Sequence, residues 1–182
     1  MNNNDKKSLL GQTFATLGLM QQLDRIDFLH SRCFQALPFT GLGTDGETLK
    51  KILLESGIGN PAMMLMFLYA LLVMPKELFS VNPIIEAQLK SETNVYLSEC
   101  AEIIESTYLS DSDQFNYYRH LRNSVAHAKF TFQLRENCSY VIFCDEKKEE
   151  KCSFKVETLN IGILLSKLQN KLIELYNEIS NR

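Results

Sequence analysis

The sequence predicts a mainly α fold, a helical bundle with a small antiparallel β-meander set before the C-terminal helix. Three observations predict it. Long stretches place apolar residues at i, i+3, i+4 and i+7, the spacing that lines one face of a helix. After His127 this period gives way to three short runs rich in β-branched and aromatic residues, 129–134, 139–144 and 152–156, which read as strands. From Thr158 the helical spacing returns, and Leu159, Ile163, Leu164, Leu168, Leu172, Leu175 and Ile179 form the stripe of a last helix that packs back on the bundle.

Taken in order, residues 8 to 37 read as one long helix, because Leu10, Phe14, Leu17, Met20, Leu23, Ile26 or Asp27, and Phe34 fall near helical spacing despite Gly11 and Gly18. Pro38 and the glycines at 41, 43 and 46 end it in a loop. Thr44-Asp45-Gly46-Glu47 supplies the cap of a second helix over 47–56, which the turn Gly57-Ile58-Gly59-Asn60 stops. Pro61 suits a first helical position and opens the apolar run 62–74. That run spans 13 residues, short of the roughly 20 needed to cross a bilayer, and is expected as a buried central helix. Another long helix is expected from Asn82 or Ser80 to about Tyr108. Ser110-Asp111-Ser112-Asp113 then breaks the chain, and one of these residues caps the helix that follows. The charged segment 145–151 is expected as a solvated hairpin tip. No internal repeat or linker divides the 182 residues, which predict one domain.

Composition narrows the function classes. A hydrophobic share of 45% beside 23% charged residues is that of a soluble globular protein. The net charge of −3 argues against a sequence-blind wrapper of polyanions. Between 111 and 135, however, Arg119, Arg122, Lys129 and Arg135 stand against Asp111 and Asp113, a local balance of +2, so a basic cleft is compatible with an acidic chain. The five cysteines are odd in number and form no C-x-x-C pair, which reads as reduced thiols of a cytoplasmic protein rather than a disulfide frame or a zinc site. The opening residues Met-Asn-Asn-Asn-Asp-Lys-Lys lack the apolar centre of a secretion signal. The glycines of Gly41-Leu42-Gly43-Thr44-Asp45-Gly46 lack the preceding strand and the Gly-Lys-Ser/Thr of a phosphate loop.

The stretch that carries chemistry is Tyr117-Tyr118-Arg119-His120-Leu121-Arg122-Asn123-Ser124-Val125-Ala126-His127, which sets two of the three histidines and two arginines in one predicted helix. An imidazole, with an ordinary pKa near ~6.5, takes and gives protons at neutral pH. A guanidinium braces a phosphate as charge builds on it. At about 100° per residue, Tyr118, Leu121, Val125 and Ala128 form the apolar side. His120, Asn123, Ser124 and His127 follow the same spacing on the opposite side, with Arg119 at its edge, and are expected to point away from the core. Tyr117 and Tyr118 are expected to pack. His30 stands alone and receives no role. No Asp/Glu cluster beside the motif and no Cys/His ligand spacing suggests a metal, so none is expected, and no cofactor.

Arg122-Asn123-Ser124-Val125-Ala126-His127 resembles the R-x(4-6)-H signature of HEPN domains (higher eukaryotes and prokaryotes nucleotide-binding), in which Asn or another polar residue often follows the Arg. The longer reading RHLRNSVAHAKF, running into a strand, resembles a plasmid-encoded bacterial branch of that superfamily. The resemblance is strongest over 117–132 and extends more loosely along the chain through the order of its elements. It implies a HEPN-type helical bundle and a metal-independent endoribonuclease of a toxin or phage-defence setting, cleaving RNA through attack of the ribose 2′-OH. By position it makes Arg122, Asn123 and His127 the catalytic residues, with Arg119 and His120 as candidates for substrate contact. Many HEPN toxins paired with a nucleotidyltransferase antitoxin extend the motif to H-x-Y, and here that position is Lys129, which puts such an antitoxin in doubt while leaving some antitoxin or defence-system partner open.

A resting ion pair of Arg122 with a carboxylate such as Glu99 or Glu102 is compatible with this role. Arg122 and His127, five positions apart, lie about 140° apart on an ideal helix, so one straight helix does not aim both at a single phosphate. Pairing of two motif helices about a two-fold axis would gather both, which predicts a homodimer. Two other classes compete: a non-catalytic HEPN module that binds nucleotide or RNA or serves only as an assembly partner, which the negative net charge and the missing H-x-Y tyrosine leave open, and a structural helical adaptor, for which apolar helices and cytosolic cysteines suffice. No membrane partner is expected.

Overall fold

A computed structural model describes residues 3–39, 45–75, 83–135 and 138–180. The chain is mainly helical. Helix α1 spans Asn3–Arg25 and stops well short of the expected residue 37. Asp27 takes a left-handed conformation (φ 53°) that an Asp tolerates better than most residues, and its carboxylate meets the His30 ring at 2.6 Å. A 3₁₀ turn Phe28–His30 follows, and the Ser31 hydroxyl accepts from the Phe34 N–H to open the short α2, Arg32–Ala36. The expected single helix is thus broken by local polar bonds that its apolar spacing does not reveal. The glycine-rich loop lies largely outside the described residues.

Helix α3, Gly46–Ser56, opens on Asp45, whose carboxylate accepts from the Thr48 N–H, and closes on Gly57 at φ 77°. Those N–H bonds hold the Asp45 carboxyl below its usual range. Helix α4, Pro61–Leu68, is capped by Asn60 with Pro61 in its first turn, and continues as a π-helical turn, Tyr69–Val73. Leu68, Leu71, Leu72 and Val73 are buried, but Met66 and Tyr69 are exposed, so this segment is amphipathic rather than enclosed. Among the described residues no single helix is long and apolar enough to cross a membrane; α3 with the α4 segment reaches that length and composition only as a pair bent by 79°.

Helix α5 spans Pro83–Cys100. The residues expected to start it, Ser80 and Asn82, lie outside the described ones. Its expected end at Tyr108 is corrected: the chain passes from Cys100 directly into strand β1, Ala101–Ser106. A 3₁₀ turn, Leu109–Asp111, and then helix α6, Tyr117–Ala126, precede β2, Phe130–Arg135; β3, Cys138–Lys147; β4, Glu150–Glu157; and α7, Thr158–Ser180.

The three expected strands form the meander, and β1 adds a fourth strand at its edge, giving the antiparallel order β1-β4-β3-β2. The expected solvated tip is shorter than residues 145–151. Ladder pairs Asp145↔Cys152, Glu146↔Lys151 and Lys147↔Glu150 carry the strands to a turn at Lys148, φ 58°.

Val141, Phe143, Phe154 and Val156 point from the sheet into the core, where Phe143 and Phe154 stack at 5.4 Å. Helix α6 lies on β3, flanked by α5 and the π turn, while α7 packs on α5. On α7 the buried residues are Ile161, Leu164, Leu165, Leu168 and Leu172, whereas Leu159 and Ile163 are exposed, so the stripe is rotated from the expected one. The side chains of Leu175 and Ile179 lie outside the described ones.

Candidate functional site

Helix α6 is held at both ends. The Asn116 side chain caps it by accepting from the Arg119 N–H at 3.2 Å, replacing the expected cap within 110–113. Asn94 Oδ1, from α5, accepts from the Tyr118 N–H at 2.8 Å. At the other end Ala128 N–H donates to the Val125 carbonyl (3.3 Å) and Lys129 N–H to the Ser124 carbonyl (2.8 Å), the double closure that ends many helices. It requires a left-handed residue, and Ala128 supplies it at φ 52° where glycine is the usual choice. His127 is therefore the cap residue itself, with φ −105° and ψ 9°, turned off the helical path.

Tyr117, Tyr118, His120, Leu121, Ser124 and Val125 are buried. On an ideal helix they cover an arc of about 160°, and complete burial of Leu121 or Val125 contributes roughly 1.5–3 kcal/mol each. The packing expected of Tyr117 and Tyr118 is present. The expectation that His120 and Ser124 point away from the core is corrected. That side of α6 meets β3, which offers polar partners, and the Ser124 hydroxyl lies 2.7 Å from the carbonyls of both His120 and Cys144.

His120 is fully enclosed, between the rings of Tyr108 and Phe115 at 4.8 and 5.0 Å. Its Nδ1 faces Asp145 Oδ2 at 2.8 Å and its Nε2 faces Asp111 Oδ2 at 3.0 Å. Both carboxylates are nearly as buried as the ring. An imidazolium satisfies this arrangement with one donated bond at each end. Because the two carboxylates lie on opposite nitrogens of one ring, they do not converge on a common point. Arg119 completes the cluster: its guanidinium lies 4.5 Å over the Tyr108 ring, donates to Ser110 Oγ at 2.9 Å and comes within 3.4 Å of His120 Nε2. Of the two candidates for substrate contact, His120 is thus inside the protein and Arg119 is tied to the 108–111 loop.

The motif residues lie on the outer side. Arg122 is partly buried, donates from Nη2 to Asn123 Oδ1 at 3.1 Å, and places Nη1 3.6 Å from Glu86 Oε1. The resting ion pair is therefore present with Glu86 of α5; Glu102 pairs with Lys155 instead. Asn123 turns its amide the other way, donating from Nδ2 to Asp145 Oδ2 at 3.1 Å. His127 is exposed, and among the described residues its ring has no hydrogen-bonding partner; its backbone N–H bonds the Asn123 carbonyl at 3.0 Å. Lys129 pairs with Glu146 at 2.8 Å. The structure joins Arg122 and Asn123 directly and, among the described residues, leaves the His127 ring without a hydrogen bond at the helix end.

Two acidic residues are buried beside the motif against expectation: Asp145, expected within a solvated hairpin tip, and Asp111, expected only in a chain break or cap. The signal for Asp145 was the alternation Val141, Phe143, Asp145, which places the acid on the inward face of its strand. Asp111 carries no such signal. Burial, reinforced by the charge of Asp145, pushes the Tyr108 hydroxyl up to about 12. Burial together with the charges of Asp111 and Asp145 pushes the Cys152 thiol up to about 12, so neither is a nucleophile at neutral pH. Among the described residues no group of three or more His, Cys, Asp and Glu is placed to hold a metal ion.

A family model described as HEPN pEK499 p136 matches residues 3–179. No curated protein and no solved structure matches the chain.

Proposed function

The chain belongs to the HEPN pEK499 p136 family, and from that membership we propose that it is a metal-independent endoribonuclease of a toxin or phage-defence system, acting in the cytoplasm. The observation that supports this most is the contrast between His127, exposed and without a ring hydrogen bond among the described residues, and the partly buried Arg122 five residues before it, both on the outer side of a helix whose other side is packed. His127 takes the proton of the ribose 2′-OH or gives one to the leaving 5′-oxygen. The 2′-oxygen attacks the adjacent phosphorus and leaves a 2′,3′-cyclic phosphate, which requires RNA because DNA lacks the hydroxyl. Arg122 stabilises the charge on the phosphoryl oxygens and Asn123 holds that guanidinium. The working unit is a two-fold homodimer with the motif helices facing each other, and Arg119 stands at the edge of the cleft, ready to meet the RNA backbone if its loop contacts open.

Expression of wild type and His127→Ala in a bacterial host, with sequencing of cleaved RNA ends, tests the reading. Cleavage is expected in the wild type, and by the purified protein in the presence of EDTA, with a loss of at least about 100-fold in the variant. Equal cleavage by both would remove His127, and a requirement for magnesium would remove the metal-free route. Mixing inactive Arg122→Ala with inactive His127→Ala tests the shared site: recovered activity supports residues supplied by different chains, and a fully active monomer in ultracentrifugation opposes it.

The ion pair between Arg122 and Glu86 favours one second reading, a non-catalytic module that binds nucleotide or RNA, since a carboxylate stands where a phosphate would bind. RNA binding without cleavage, unaltered by His127→Ala, would support it.

A further inference from the structure

We infer that Asp145 is a positioning residue for Arg122, acting through the amide of Asn123; the inference rests on the ribonuclease reading above. The geometry is continuous. Asp145 Oδ2 accepts from Asn123 Nδ2 at 3.1 Å, and Asn123 Oδ1 accepts from Arg122 Nη2 at 3.1 Å. A guanidinium only donates and a carboxylate only accepts, so the Asn between them has a single satisfying orientation. Flipping its amide sets donor against donor at Arg122 and acceptor against acceptor at Asp145.

The anchor is itself held. Asp145 lies on β3, paired with β4, and the same Oδ2 accepts from His120 Nδ1 at 2.8 Å. His120 is braced from its other nitrogen by Asp111, whose Oδ2 is also bonded to Ser106 Oγ at 2.7 Å. The buried cluster thereby fixes the direction of an arginine on the outer side of the helix. This also gives a physical reason for Asn directly after Arg: Asp or Ser there would not present an acceptor to one neighbour and a donor to the other with comparable reach.

Asp145→Leu keeps the branched outline, at a larger volume, and removes the acceptor, whereas Asp145→Asn keeps the volume and an oxygen that can accept from Asn123. On a short RNA substrate, Asp145→Leu and Asn123→Ala are each expected to lower kcat about 10–100-fold with KM within about threefold. Asp145→Asn is expected to stay within about fivefold of wild type. The Asn123→Ala/Asp145→Leu double variant is expected to be no slower than the slower single one, because both act through one path. A folded Asp145→Leu with wild-type kcat, or losses that multiply in the double variant, would overturn the inference.

Should Asp145→Leu fail to fold, the nitrogen-15 resonances of the Arg122 guanidinium decide. Distinct Nη signals are expected in the wild type and merged ones in Asn123→Ala; merged signals already in the wild type would overturn the hold on Arg122. A wild type that cuts no RNA while keeping distinct Nη signals would remove the ribonuclease reading and not the positioning contact.

Discussion

The two histidines of α6 differ in everything except residue type. His120, in the first half, is enclosed by two aromatic rings and bonded at both nitrogens. His127, at the cap, is exposed, and its ring has no bonding partner among the described residues. Seven residues separate them, so an ideal helix would put them only about 20° apart around the axis. Depth, not angle, divides them: the first half of α6 is covered by the 108–116 loop and β3, and the chain leaves the helix at His127 before any element covers it. A side chain whose polar capacity is fully met inside serves packing and positioning, and one left open at a helix end is available for chemistry.

The sharpest way to break this comparison is to remove each ring in turn. His120→Leu leaves two buried carboxylates without the imidazole between them and is expected to cost about 3–5 kcal/mol in denaturant titration. His127→Ala is expected to change stability by less than about 0.5 kcal/mol while ending RNA cleavage. Equal stability effects would show that the interior cluster is not what distinguishes the two positions.

Alkaline unfolding sharpens the same contrast. The Cys152 thiol is raised from 9.0 to about 12 when folded, so the folded chain holds that proton more tightly than the unfolded one. The associated stability is fully present below about pH 9 and lost as pH climbs toward 12; Tyr108, raised from 10.0 to about 12, adds to the upper part of that window. Cys152→Ala should flatten the fall that begins near pH 9. An unchanged fall in urea titrations across that range would remove the thiol as its source.

At the exposed end the expected effects are smaller. Ala128→Gly relieves the left-handed strain behind His127 and should stabilise the fold by about 1 kcal/mol, read as a raised denaturation midpoint. Glu86→Gln weakens the ion pair that competes with a phosphate for Arg122 and should lower KM for RNA by up to about fivefold, in keeping with the ~0.2–1 kcal/mol of a partly exposed pair. An unchanged KM would mean that Glu86 does not occupy the substrate's place.

Most of the scaffold was legible because it depends on short-range periodicity. The motif helix, the three strands of the meander, the cap within 44–47, Pro61 in the first turn of its helix and the last helix all follow from neighbours a few residues apart. The misses share a different cause. Asp27 breaks the first helix through a bond to His30, β1 becomes a strand because β4 pairs with it, and His120 is buried because acids from a loop and a strand meet it. Arg122 and Asn123 were singled out by their place in the motif, while the side chains they contact, Glu86 and Asp145, lie 36 and 22 positions away. Only partners brought together by the fold decide such groups, and no local pattern encodes them.

Strand β1 has a consequence in time as well as in space. Its partner in the sheet is β4, whose residues 150–157 are synthesised more than 40 positions later. Until they emerge, Ala101-Glu102-Ile103-Ile104-Glu105-Ser106 has no strand to join, and its composition suits continuation of α5 just as well. A growing chain is thus expected to carry a longer α5 and to convert its last turns to strand when the β3–β4 hairpin closes, making completion of the sheet edge a late, long-range folding event.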